Sequence, residues 1–371
     1  MRQLDDQQTR LATSPGAHMR IRVDVTRGTD RLLENLTATE PRISWDIDGQ
    51  RKQIAQLELI YASTHGETIT PKHWTDAIAP FGSELQLSLE ISLGTETTLI
   101  PVGQLPIESI PNATDATGTT IAGRTISLGS TVEIIAEDQT LRIERAGFAK
   151  ERLTPPRGTT CWNEIERLTG MIVARNTPDA PTPNLEYARE QGNRLTQVQA
   201  LAARLGGVIV PDAYGILTLV TDIETSPVGT INGTPLDAPY ALTSDGVYNE
   251  VVGNFETDGD DRRPIIVPPA QITRGPLAVD GPYGRYTRYY ASEFVKTETA
   301  ARSALEKILE QVSRPKFERD FELHLDPRVE IGDTWTVNTG TGETVTGLVT
   351  TIQWTPPTMQ VTLRITGDVY A

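Results

Sequence analysis

A chain of 371 residues has room for two or three domains of about 150 residues each. With 37% hydrophobic and 22% charged residues it has the composition of a globular protein that builds its own core. Its 49 acidic and 34 basic residues leave a net charge of −15, which opposes unspecific binding to nucleic acid, and its single cysteine excludes both an internal disulfide framework and a multi-cysteine zinc site.

The opening residues, MRQLDDQQTRLATSPGAHMR, lack the apolar core of a secretory leader, so secretion by that route is not expected. No apolar run approaches the ~18 residues of a membrane span. Residues 1–17 read as a short arm or helix. From 18 to 153 the pattern is that of a first β-barrel-like domain. In RIRVDVTR, Ile21, Val23 and Val25 face one way while Arg20, Arg22 and Asp24 face the other. ISWDIDGQRKQIAQLELI sets the turn pair Asp48-Gly49, tolerant of positive φ, between two strand-like runs. ELQLSLEISLG is the clearest element: Leu85, Leu87, Leu89, Ile91 and Leu93 form one face of a half-buried strand, a period that no amphipathic helix shows.

The character changes near Thr154-Pro155-Pro156, and residues 154–240 read as an α/β module. Trp162, Ile165 and Leu168 fall at helical spacing, and the proline-rich NTPDAPTPN is a loop. A second helix carries Leu195, Val198, Leu201, Ala202 and Leu205 on one stripe and stops at Gly206-Gly207. VIVPDAYGILTLVTD is then a hairpin turning at Asp212–Gly215. Residues 241–314 are a β segment ending in a helix over 297–312, with Thr297 as N-cap and Ala301, Leu305, Ile308 and Val312 on one face. Residues 315–371 form a closing β-barrel domain, its last strands separated by turns at Thr339–Glu343 and Pro356-Pro357. The fold class expected is mainly β with an α/β insert: two barrel- or sandwich-like domains bracketing a small module.

Several clusters carry the types of side chain that chemistry uses. In Phe317–Asp326 the apolar residues Phe317, Phe321, Leu323 and Leu325 share a face with Arg319, while Glu318, Asp320, Glu322, His324 and Asp326 share the other. With Glu330 and Asp333 close behind, this could hold a cation, yet the spacing matches no calcium loop, and zinc would want a second His or Cys. Gly332 and Asp333 are the residues of a turn, so the cluster reads as the corner between two strands, with its acids turned to water or to a partner. The four histidines, at 18, 65, 73 and 324, fit no ligand spacing. FETDGDDRRP has four acids over 256–261 but lacks the distal glutamate of a calcium loop, and reads as an exposed loop. GPYGRYTRYY interleaves Arg285 and Arg288 with Tyr283, Tyr286, Tyr289 and Tyr290. That is the composition of a base-stacking platform, but against the net acidity it reads as a strand or a subunit contact. Cys161, at a helix start without a nearby histidine, reads as a small buried hydrophobe. No GxSxG, Walker, Rossmann or HExxH motif occurs.

The order of these parts resembles the tail hub proteins of long-tailed phages (minor tail or baseplate hub proteins). RIRVDVTRG followed by PFGSELQLSLEI (Pro80–Ile91) resembles the opening strands of the hub's first β domain, and LIPVGQLPIES continues it. RLTQVQALAARLGGVIVPDAYGILTL resembles the family's helix, glycine turn and hairpin. VYNEVVGNF, the helix TAARSALEKILEQV and the corner DPRVEIGDTWTV resemble the closing part. The stretch GRTISLGSTVEII departs from the pattern, lacking the charged turn expected there.

The resemblance implies a structural, non-enzymatic hub in the virion, at the distal end of the tail. It implies a homotrimer that joins a sixfold tail tube to a threefold tip and gates the exit channel. The partners implied are the distal tail protein, the tape measure protein and tip or fibre proteins, with DNA met only in transit. Catalytic residues, cofactor, metal and membrane anchor are all expected to be none. Two other readings remain open at this stage: a cell-wall or polysaccharide hydrolase on a β scaffold, which needs two carboxylates facing one cleft, and a receptor-binding module, which needs an aromatic-lined groove.

Overall fold

A computed structural model of the chain describes residues 2–62, 67–119, 125–148, 152–182, 187–188, 193–221, 224–236, 247–257, 263–291, 295–313, 316–340 and 342–366. It falls into two compact units: Met1–Ala238 with Arg319–Leu363, and Pro239–Glu318 with Arg364–Ala371.

The first unit begins with helix α1 (Asp6–Ala12), capped by an Asp5–Gln8 box. Six strands follow: β1 (His18–Arg27), β2 (Asp30–Asp46), β3 (Gln53–Ala62), β4 (Ser83–Leu93), β5 (Glu96–Thr119) and β6 (Thr125–Glu137). They run β1-β4-β5-β6-β3-β2, and β2 returns to pair β1, so the sheet closes into a six-stranded antiparallel barrel. The alternation seen in the sequence is what fills it. Ile21 lies opposite Leu89, Val23 opposite Leu87 and Val25 opposite Leu85, and all six are buried. Each such side chain contributes about 1.5–3 kcal/mol. β2 serves two partners, β1 first and β3 later. Asn35, in the stretch paired with β1, and Glu40, in the stretch paired with β3, both take positive φ at register shifts, and the Asn35 N–H donates to Asp24 at 2.7 Å.

The link from β2 to β3 corrects one expectation. Gly49 does not take positive φ; it is needed for space, since a Cβ there would sit 2.8 Å from the Arg51 carbonyl. The loop is closed instead by Lys52, whose ammonium donates to the Ile47 and Gly49 carbonyls at 2.6 and 2.7 Å.

The α/β module comprises α2 (Thr140–Arg145), β7 (Arg152–Leu153), α3 (Cys161–Thr169), β8 (Tyr187–Ala188), α4 (Arg194–Leu205), β9 (Val208–Pro211) and β10 (Leu217–Val220). α3 buries Trp162, Ile165 and Leu168 and ends on Gly170 in the left-handed region. α4 is capped by Asn193, buries Leu195, Val198, Leu201 and Ala202, and stops at Gly206 with φ +93°. β9 and β10 form the expected hairpin, with Asp212 accepting from the Tyr214 and Ile216 N–H groups and Gly215 at φ +74°.

A second barrel is assembled from β11 (Gly229–Pro235), β16 (Lys316–His324), β17 (Thr334–Thr339), β18 (Thr344–Thr355) and β19 (Thr358–Thr366). The order is β18-β17-β11-β16-β19, and a β18–β19 pairing closes it at five strands. β11 lies parallel to β17 and antiparallel to β16. It fits because two of its residues have no side chain: a Cβ on Gly229 would sit 2.5 Å from the Trp335 ring, and one on Gly233 would sit 2.3 Å from Leu323. β18 also pairs β2, from Thr351 opposite Asp46 to Trp354 opposite Ile43, so both barrels share one continuous sheet.

The second unit holds β12 (Glu250–Glu256), β13 (Pro264–Ile265), β14 (Ala270–Gln271), β15 (Thr287–Ala291) and α5 (Glu298–Val312). Thr297 caps α5 as the sequence predicts, accepting from the Ala300 N–H at 3.2 Å. Ala301, Leu305 and Val312 pack on Val251, Phe255 and Ile265 of the small sheet. Among the described residues no helix is long and apolar enough to cross a membrane.

Candidate functional site at the corner of the closing barrel

β16 alternates as its sequence dictates: Phe317, Arg319, Phe321, Leu323 and the following Leu325 are buried, while Glu318, Glu322 and His324 are exposed. Arg319 on the inner face meets Glu343 at 2.7 Å and lies 5.4 Å from the Phe321 ring centroid. Asp320 accepts from Thr362 Oγ1 at 2.6 Å, and Glu318 meets Arg364 at 3.0 Å.

The corner turns immediately afterwards. The Asp326 carboxylate takes a two-pronged bond from Arg328, closest at 2.6 Å, and this pairing raises the Arg328 pKa. The Val329 N–H donates to the Asp326 carbonyl at 3.2 Å, and the Gly332 N–H to the Val349 carbonyl at 2.8 Å. Gly332 has φ +82°, and a Cβ there would come within 1.9 Å of Val220, so no other residue fits. Glu330 is met by Arg2 of the N-terminal arm at 3.2 Å. Asp326 and Glu330 are thus each engaged by an arginine, and His324 stands apart from both pairs. Among the described residues no three His, Cys, Asp or Glu side chains are placed to hold a metal ion.

Behind the corner lies a cavity of about 340 Å³. Trp45 of β2 and Trp354 of β18 line it with ring centroids 4.9 Å apart, and the Arg2 guanidinium lies 5.9 Å from the Trp354 ring. Val102, Val220, Ile331 and Ile352 supply apolar wall. Two of its polar neighbours are committed within the fold: the Gln53 amide donates to the Val102 carbonyl at 3.3 Å, and Asn176 bonds both backbone groups of Leu219.

The remaining candidates lie elsewhere. Residues 258–261 of the acidic loop fall outside the described residues, as does His65. His18 and His73 lie on the first barrel's strand β1 and its β3–β4 connection, far apart in the chain. In the second unit the tyrosine–arginine segment divides its roles. Thr287–Ala291 pairs β12 as a strand; Tyr290 packs edge-on against Phe255 at 5.9 Å, whereas Tyr289 is 80% exposed. Tyr283 is tied to the Val247 carbonyl at 3.0 Å. Cys161 is fully buried, and burial raises its thiol pKa, which disfavours the reactive thiolate.

Sequence reasoning missed three polar groups that organise the first unit. Asp138, 1% exposed, accepts from the N–H groups of Lys52, Gln53 and Thr140 at 2.6, 2.7 and 2.7 Å and from the Thr140 hydroxyl. Lys52 is buried beside it, and desolvation lowers its pKa. Asp115 accepts from the hydroxyls of Thr68, Thr70 and Ser130, which hold its pKa at about 2. Their only signal in the sequence is a charged residue in or beside a strand run, which is too common to single them out.

No protein-family profile matches the sequence, and no curated protein is similar to it in sequence. Solved structures do match. The 43 kDa tail protein of prophage MuSo2 from Shewanella oneidensis superposes with TM-score 0.55 at 13% identity, over 92% of this chain and 98% of its own. Prophage tail protein gp18 from Listeria monocytogenes gives 0.54 at 12%, over 94% and 95%. A tail protein from Neisseria meningitidis gives 0.52 at 12%, over 94% and 97%. The chain has the fold of these phage tail proteins along almost its whole length.

Proposed function

We propose that this chain is a structural component of a phage tail, acting as a hub at the distal end. In this reading three copies form a ring that joins the sixfold tube to the threefold tip and gates the DNA exit channel. One observation carries it: a chain with the fold of phage tail proteins sets two closed barrels side by side on one continuous sheet. Three such chains present six barrels, a count that matches a sixfold tube on one side and a threefold tip on the other. The net charge of −15 favours a passage to which DNA does not adhere. The partners in this reading are further copies of the chain, the distal tail protein, the tape measure protein and tip or fibre proteins, and the chain itself breaks no bonds.

Electron microscopy of the purified protein and of the particle tests the proposal. A threefold ring at the end of the tube is expected. A protein that stays a single chain both alone and with its tail neighbours, or one found on the head, overturns it. The surface potential of the assembled lumen is expected to be negative, and a basic lumen removes the role given to the acidic charge.

A further inference from the structure

Where the two barrels of the first unit meet, β2 pairs β18, and the residues Ile43, Ile352 and Trp354 of this strip are buried. Period-two alternation turns their neighbours to the opposite face: Ser44 stands across from Gln353, and Asp46 across from Thr351. β19 and β16 extend that face. Met359, Val361 and Leu363 are buried, which turns Gln360 and Thr362 outward. The Thr351 hydroxyl donates to Thr362 Oγ1 at 2.6 Å, and the Thr362 hydroxyl donates to Asp320 at 2.6 Å. On the side of the first barrel Ile54 lies opposite Ser44. With Gly49–Arg51 of the β2–β3 loop these residues line a cleft of about 570 Å³, within the ~300–1,000 Å³ of small-ligand sites.

The floor of the cleft has two rows of different character. Asp46, Thr351, Thr362 and Asp320 form a row that can only accept, because both threonine hydrogens are spent in the direction of Asp320. The Asp48 N–H takes one oxygen of Asp46 and Thr362 takes one oxygen of Asp320. The second oxygen of each carboxylate accepts nothing among the described residues. In the other row Gln353 and Gln360 stand exposed, and neither amide has a partner among the described residues. Arg51, the one cation among the described lining residues, is matched to Glu137 at 2.5 Å and to Glu144.

The class of ligand follows from these unspent groups. It must donate to the acid row and also accept from the amide row. A metal ion or a polyamine accepts nothing and leaves the amide N–H groups idle, whereas a hydroxyl does both at one atom. Asp46 and Asp320 stand three strand spacings apart, about 14 Å along the sheet. That is too far to share one cation, and beyond the about 5–9.5 Å at which paired carboxyl groups act on one glycosidic bond. Ile54 offers the C–H face of a sugar ring an apolar contact. We infer that the cleft is a binding site for a short neutral oligosaccharide, which it holds without cutting. The site lies within one chain and does not depend on how many copies assemble.

Calorimetric titration of the full-length chain tests it, with the tetramers of glucose and of N-acetylglucosamine as neutral probes and tetralysine as the charged one. At least one tetrasaccharide is expected to bind and to be recovered intact. Gln353→Ala and Gln360→Ala alter exposed side chains that hold nothing in the fold, so both should keep the wild-type circular dichroism. Each is expected to weaken the sugar about fivefold, the worth of one hydrogen bond. Asp46→Asn removes a charged acceptor and is expected to weaken it about tenfold or more. If neither tetrasaccharide binds, the site is overturned. Binding that both glutamine variants leave unchanged overturns it as well, and so does tetralysine binding more tightly than either sugar. Shorter sugars in the recovered ligand overturn the holding without cutting. Each of these results leaves the tail role standing.

Discussion

The two barrels of the first unit solve the same problem with different material. The six-stranded barrel is made from one stretch of chain, all antiparallel, with period-two alternation clearest in β1, β3 and β4. The five-stranded barrel takes four strands from the end of the chain and a fifth, β11, from some 80 residues upstream of β16, laid parallel to β17. A barrel closed by neighbours in sequence can rely on side-chain volume alone. A barrel closed by a distant strand needs a slot of the right width, and here the glycines of GTINGTP provide it.

The sharpest way to break this comparison is Trp335→Ala, which empties the centre of the second barrel where Gly229 lies against the ring. It should cost about 3–5 kcal/mol in chemical denaturation. Because β2 and β18 join both barrels in one sheet, the loss is expected in a single transition seen by tryptophan fluorescence and far-UV dichroism together. Two separated transitions would mean that the barrels fold independently.

A smaller test asks whether glycine matters for space in one barrel and not in the other. Gly233→Ala should cost about 1–3 kcal/mol, because its Cβ meets buried Leu323 and Val337. Gly118→Ala in the first barrel meets only the half-exposed Leu128 at 3.0 Å, and should stay within about 0.5 kcal/mol. Equal losses would undo the distinction.

Acid separates the barrels in a third way. The folded pKa of Asp115, at about 2, lies below the unfolded value of about 3.9. Its contribution is complete above the unfolded value and is lost as pH falls from about 4 through about 2. Asp115→Asn should therefore melt lower than wild type at pH 6, and the gap should close on acidification. The smallest effect belongs to Arg10→Ala, which removes the exposed pair with Glu96 that fastens α1 to the first barrel. It should cost less than about 1 kcal/mol and shrink in salt.

Much of this fold was legible because local chemistry decided it. The strict alternation of Leu85–Leu93, the cap at Thr297, the stop at Gly206 and the turn at Asp212–Gly215 are written in adjacent residues. So is the alternation of β16, which turned Glu322 and His324 outward. Partnership was not legible. Nothing in GTINGTP says that it pairs parallel to TWTV, and nothing in β2 says that its far end meets β18, because those choices are set by surfaces distant in the chain. The corner was half readable: Gly332 and Asp333 announced a turn, but the arm that brings Arg2 to Glu330 lies more than 300 residues away in sequence.

The seam between Asp46 and Thr351 also has a mechanical meaning. Two domains that touch through side chains can slide or hinge under load. Here hydrogen-bonded peptide groups cross from one domain to the other, and Trp45 and Trp354 lock the same strip from above. A push on either domain is carried into the other by the backbone itself, so the pair answers as a stiff beam.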